Sequence, residues 1–67
     1  MKVFIVGQDR PEIHDSAWEV QGVFLTEEKA LEAAHGPGFF IGPCVVDQII
    51  PDETIEWPGI YWPHGFK

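Results

Sequence analysis

Apolar residues recur along this chain at two spacings, and the change from one to the other marks its elements. Val3-Phe4-Ile5-Val6 is an unbroken apolar run closed by Gly7. That is the pattern of a strand covered on both faces, and so of a central strand. A second extended run lies at Trp18 to Leu25, rich in the β-branched and bulky residues that suit a pleated surface. Its alternation slips: Trp18 and Val20 share one face, whereas Val23 and Leu25 fall on the other. A bulge at Gly22 restores the register.

From Thr26 the spacing becomes helical. Thr26 has an N-cap side chain, and Glu27 and Glu28 fill the first turn, where the positive end of the helix dipole favours carboxylates. Position 29 is lysine, so the reciprocal capping box is incomplete. Ala30, Leu31, Ala33 and Ala34 form a narrow apolar stripe that lets the helix backbone lie close to a sheet. Gly36, expected in the left-handed terminal conformation, and Pro37 supply the stop, with His35 in the last turn as a helix-end residue.

Residues 39–50 read as a third extended segment. Pro43 has no amide hydrogen to give a central ladder, so this strand belongs at an edge, or is bulged or split near Gly42 and Pro43. The result is an α+β fold: a small ββαβ unit with a three-stranded, mostly antiparallel sheet of order 2-1-3. The helix lies on one face, and the third strand runs parallel to the second and antiparallel to the first. Residues 51–67 change character. Trp57, Tyr61, Trp62 and Phe66 are interleaved with Pro58, Gly59, Pro63 and Gly65, which excludes a regular helix, and the aromatic content excludes a solvated tail. One helix covers one sheet face, so this segment is expected to pack back over the other.

At 67 residues the chain is a single small domain, near the size where one core barely offsets chain entropy. Its net charge of -7 comes from eleven acids against Lys2, Arg10, Lys29 and Lys67, which form no cluster. Direct nucleic-acid binding is therefore not expected. A protein partner with a basic surface is, because charge of this sign steers it there. The acids form no dense run of the kind a DNA mimic would show. The short apolar run after Lys2 does not fit a signal peptide and no stretch is long enough to span a membrane, so the expected location is the cytoplasm. Cys44 stands alone and no zinc spacing is present. It reads as a small buried hydrophobe, since no base lies near it in sequence. Gly36-Pro37-Gly38 lacks the helix-opening context of a phosphate loop.

The polar stretch 8–17 reads as the loop of a long hairpin. It carries Asp9, Arg10, Glu12, His14 and Asp15, and loops of this kind often hold function. Glu12, His14 and Asp15 are also types that could take a metal or share a proton, but the spacing matches no ligand motif.

The joint Gly22-Val-Phe-Leu-Thr-Glu-Glu-Lys-Ala-Leu-Glu-Ala-Ala34, with a short Val/Ile strand before it and Pro37-Gly38-Phe39 after it, resembles a group of small bacterial and phage proteins. In these a strand passes into a helix through a Gly-Val-Tyr/Phe-Ser-Ser/Thr-Glu-Glu-Lys-Ala type joint and the chain closes on Trp and Gly-Phe, echoed by Trp62 and Gly65-Phe66. Gly42-Pro43-Cys44 and the proline-rich ending depart from that pattern. The motif encodes fold and carries no catalytic residue. The resemblance implies a phage or mobile-element accessory protein, which would act in the host cytoplasm.

The expectation is a non-catalytic interaction protein that blocks a host protein, an inhibitor of bacterial defence of the anti-CRISPR-like kind, with no cofactor. Candidate partner-binding residues are Trp57, Tyr61, Trp62, Phe66, Asp9, Glu12 and Asp15, since tryptophan and tyrosine dominate interface hot spots. A strand edge or the open sheet face is also a route to a homodimer. The alternative is a small-ligand or metal-binding accessory protein using His14, His35, His64 and Cys44. An enzyme is not expected, because so small a domain seldom encloses a pocket.

Overall fold

The computed structural model describes residues 1–15, 17–47 and 57–66. Three strands and a helix follow in the order β1 (Lys2–Asp9), β2 (Trp18–Phe24), α1 (Glu27–Ala33) and β3 (Phe39–Val45). The sheet has the order β2-β1-β3, and both pairings are antiparallel. The expected ββαβ unit is therefore present, with its unbroken apolar strand in the middle.

The pairing of β1 with β2 passes from Val6↔Gly22 to Gly7↔Val20, so Gln21 is the extra residue of a bulge beside Gly22. Cross-strand partners share a face. The bulge thus places Trp18, Val20 and Val23 on one side of the sheet, with their partners Asp9, Gly7 and Ile5.

Against the other side lies α1. Thr26 caps it, its hydroxyl accepting from the Lys29 amide at 3.3 Å. Ala30 and Ala34 are fully buried against Val6, Phe39 and Ile41, and Phe4, Phe24, Ala33 and Tyr61 complete this core. Alanine at the contact keeps the helix close, as expected. Leu31 departs from the expected stripe: it is 43% exposed, because at roughly 3.6 residues per turn it lies about 100° round the helix from the buried Ala30. The helix also ends early. Ala34 is its C-cap and His35 lies beyond it, its ring tilted against Phe39 with centroids 4.5 Å apart. The left-handed backbone expected at Gly36 occurs at Gly38 instead, with φ of 84°.

β3 is an edge strand, as Pro43 requires, and it is not split. Ile41 exchanges two backbone hydrogen bonds with Tyr61 across its outer side, at 2.9 and 3.1 Å. Residue 43 points its backbone the same way as residue 41, so the missing proline N–H would have faced outwards and no rung of the β1 ladder is lost. Val46 and Asp47 form a turn, with Asp47 at a φ of 64°, so β3 stops at Val45. Its expected continuation over 48–50, Ser16 of the hairpin loop, residues 51–56 of the C-terminal segment and Lys67 lie outside the described residues.

Candidate functional site: the open sheet face

The side of the sheet away from α1 is built around two glycines and Phe40. Gly7 and Gly42 direct their α-hydrogens to this side, and nothing larger fits at either. A Cβ at Gly7 would run into the rings of Phe40 and Trp18, and one at Gly42 into the indole of Trp57. Glycine in these strand interiors is thus a seat for an aromatic ring, the close approach that removes any need for a side chain there.

On these seats the rings form one cluster around Phe40. Trp18 meets Phe40 edge-on at 5.2 Å, Trp57 lies 5.9 Å and Trp62 5.8 Å from the same ring, and Phe66 stacks on Trp62 at 4.6 Å. Such spacings fall in the favourable range for aromatic pairs. Two of the three indoles are anchored inwards. Trp57 donates its N–H to the Pro43 carbonyl at 2.8 Å, and Trp62 donates to the Asp9 carboxylate, also at 2.8 Å. The Trp18 indole N–H has no hydrogen-bond partner among the described residues.

The C-terminal segment straddles the β3 edge. Trp57 and Trp62 cover the open face, whereas Tyr61 crosses to the helix side and donates its hydroxyl to Glu27 at 2.7 Å. Burial, with the hydrogen bond to Glu27 and that carboxylate's charge, pushes the Tyr61 hydroxyl up to about 12. Gly65 accepts from the Gly38 amide at 3.0 Å and brings Phe66 alongside Trp62. The described part of the segment, residues 57–66, packs back as expected, over the β3 half of the face.

Among the described residues nothing packs over the β2 half. Trp18 is 44%, Val20 59%, Val23 58% and Phe66 68% exposed, and the first three lie in a row on one strand. At the hairpin end of this row sit four carboxylates, Asp9, Glu12, Asp15 and Glu19, against the single guanidinium of Arg10. Arg10 lies 2.9 Å from Glu19 and 3.6 Å from Glu12. Its backbone folds the loop into a compact turn through bonds to Ala17, Ile13 and His14, and Glu12 and Asp15 are exposed on that turn.

Of the residues singled out from sequence, Trp57, Trp62, Phe66 and Asp9 come together on this face, Glu12 and Asp15 flank it, and Tyr61 lies on the other side of the sheet. Sequence reasoning missed Trp18, Val20, Val23, Gly7 and Gly42 as parts of the site; the slipped alternation around Gly22 was the signal that the three β2 residues share a face. Among the described residues no three of His, Cys, Asp and Glu gather as a metal would need. His35 stacks on Phe39, and Cys44 is half-buried opposite Val3. No helix among the described residues is long and apolar enough to cross a membrane. Comparison with protein-family models, with curated proteins and with solved structures gives no match to this chain.

Proposed function

We propose that this is a non-catalytic, acidic interaction protein of phage or mobile-element origin that binds and blocks a host protein, in the manner of anti-CRISPR-like inhibitors of bacterial defence. The observation that carries the binding part of this reading is the sheet face, of which the described residues cover only the β3 half. Trp18, Val20 and Val23 stand exposed beside a cluster of edge-on and tilted aromatic rings that fix one another. Apolar side chains presented in a contiguous row on a rigid support are the usual form of a protein docking surface. Rings already held by Pro43 and Asp9 lose little freedom on binding, which favours affinity. The carboxylate surplus at the hairpin end matches a basic partner surface and would speed encounter with it. The phage origin rests on the likeness of the Gly22 to Ala34 joint noted above.

The test is capture from bacterial lysate by the tagged wild-type chain, by Trp18→Ala and Trp62→Ala, and by Leu31→Ala on the helix side. The reading expects one partner, lost with either tryptophan variant and retained with Leu31→Ala. No specific partner with the wild type, or a partner lost only with Leu31→Ala, overturns it.

A further inference from the structure

We infer that the outer edge of β2 takes up an extended, basic segment of the partner protein as a fourth strand, paired along Trp18 to Val20. This rests on the interaction reading above and states how the partner is held. The two edges of the sheet are not alike. Tyr61 bridges Ile41 on the outer side of β3, and Trp57 donates to the Pro43 carbonyl there, so this chain caps that edge itself. No described residue pairs with the outer side of β2.

The ladder fixes which backbone groups face outwards. The Arg10 amide donates to the Ala17 carbonyl at 2.8 Å, which makes that pair a hydrogen-bonded one. Hydrogen-bonded and non-hydrogen-bonded pairs alternate along an antiparallel ladder. Asp9↔Trp18 is therefore non-bonded, Gln8↔Glu19 bonded and Gly7↔Val20 non-bonded. The N–H and C=O of Trp18 and Val20 thus point away from β1, and their exposed side chains share the open face. An added strand would meet unpaired backbone groups and apolar side chains at the same two residues, the combination that strand addition uses. Trp18 adds an indole N–H with no partner among the described residues. The bulge at Gln21 limits pairing to the arm nearer the hairpin.

Charge selects the occupant. This arm adjoins the hairpin that carries Asp9, Glu12, Asp15 and Glu19 against Arg10, which among the described residues pairs with Glu12 and Glu19 alone, in a chain of net charge -7. A second copy would bring the same surplus and be repelled, whereas a lysine- or arginine-bearing segment is attracted. Of the usual guards of an exposed edge, β2 has the bulge at Gln21 but no lysine or proline, and the bulge leaves the Trp18 to Val20 arm open.

The experiment titrates the isotope-labelled full chain with an alternating Lys-Val octapeptide, capped at both ends, and follows backbone amides by NMR, with an alternating Glu-Val octapeptide as control. The expected result is saturable shifts and slowed hydrogen exchange at the Trp18 and Val20 amides with the Lys-Val peptide alone. Val20→Pro, which removes an outward N–H and no rung of the β1 ladder, should bind about tenfold more weakly, the size of one or two backbone hydrogen bonds. Val20→Thr, which keeps that N–H, should bind as the wild type does. Should Val20→Pro not fold, the exchange result in the wild type decides. Absence of protection at Trp18 and Val20, equal binding of the Glu-Val peptide, undiminished binding by a folded Val20→Pro, or the same protection in the concentrated protein alone would each overturn the inference, the last by assigning the edge to a second copy. If the edge stays untouched while the lysate partner still depends on Trp18 and Trp62, strand addition is wrong and docking on the open face stands.

Discussion

The Trp62 indole donates its N–H to the Asp9 carboxylate across 53 positions of sequence, tying the C-terminal segment to the far end of the central strand. That bond places the Trp62 ring against Phe40 and gives Phe66 a surface to stack on. Replacing Asp9 with alanine leaves a half-buried donor without its charged acceptor, which costs about 1–3 kcal/mol. We expect Asp9→Ala to lower stability by that amount in urea unfolding and to shift tryptophan emission to the red. Unchanged emission would mean the indole is held by packing alone.

Gly42 and Gly36 make a paired prediction. At Gly42 an added methyl meets the Trp57 ring, whereas at Gly36 it meets nothing within 4 Å. Overpacking of this kind costs about 1–3 kcal/mol, so Gly42→Ala should lower the unfolding midpoint and expose Trp57. Gly36 has no positive φ, so Gly36→Ala should be neutral or stabilise by up to about 1 kcal/mol through the unfolded chain. Thermal unfolding of both variants in parallel checks the contrast.

These glycines also show how far the sequence could be read. The sheet order followed from two local facts, the unbroken Val3–Val6 run and the missing amide of Pro43, because each restricts where a strand can sit. The bulge followed from the slipped alternation around Gly22. The open face did not follow, since Gly7 and Gly42 read only as strand punctuation until the rings that lie on them are seen. Those contacts join residues far apart in sequence, as Gly42 and Trp57 are, and no local pattern encodes them. Tyr61 was misplaced for a related reason: the segment crosses a strand edge, so neighbouring aromatics fall on opposite faces. Leu31 was misplaced because it lies about 100° round the helix from Ala30, at the margin of the face that the alanines turn to the sheet.

The N-cap of α1 offers a local test. Thr26 accepts from the Lys29 amide, and truncating a cap of this kind costs about 1 kcal/mol. Thr26→Ala should lose that amount in thermal unfolding, while Thr26→Ser should keep most of it. The open face lies on the other side of the sheet, so partner binding at saturating partner should be unaffected.

Tyr61 sets a pH dependence at the alkaline end. It is the one tyrosine of the chain, and its hydroxyl is pushed from the ordinary 10.0 up to about 12 in the fold. Between those values the unfolded chain releases this proton and the folded chain keeps it, so unfolding gains relative to folding as pH rises. The stabilisation is full below pH 10 and is lost on passing through about pH 12. Absorbance titration of tyrosinate should give a midpoint near 12 in the folded protein and near 10 in urea, and Tyr61→Phe should remove this share of the alkaline loss. A folded midpoint near 10 would mean that Tyr61 is neither buried nor bonded to Glu27 in solution.

The central claim is that a partner docks on the bare half of the sheet face, and site-specific photocrosslinking tests it most directly. A photoreactive side chain is placed at Val20 on the open face and, separately, at Leu31 on the helix side, and each protein is irradiated in bacterial lysate. The account predicts a discrete adduct from position 20 and none from position 31. A discrete adduct from position 31 alone, or none from either, would contradict it.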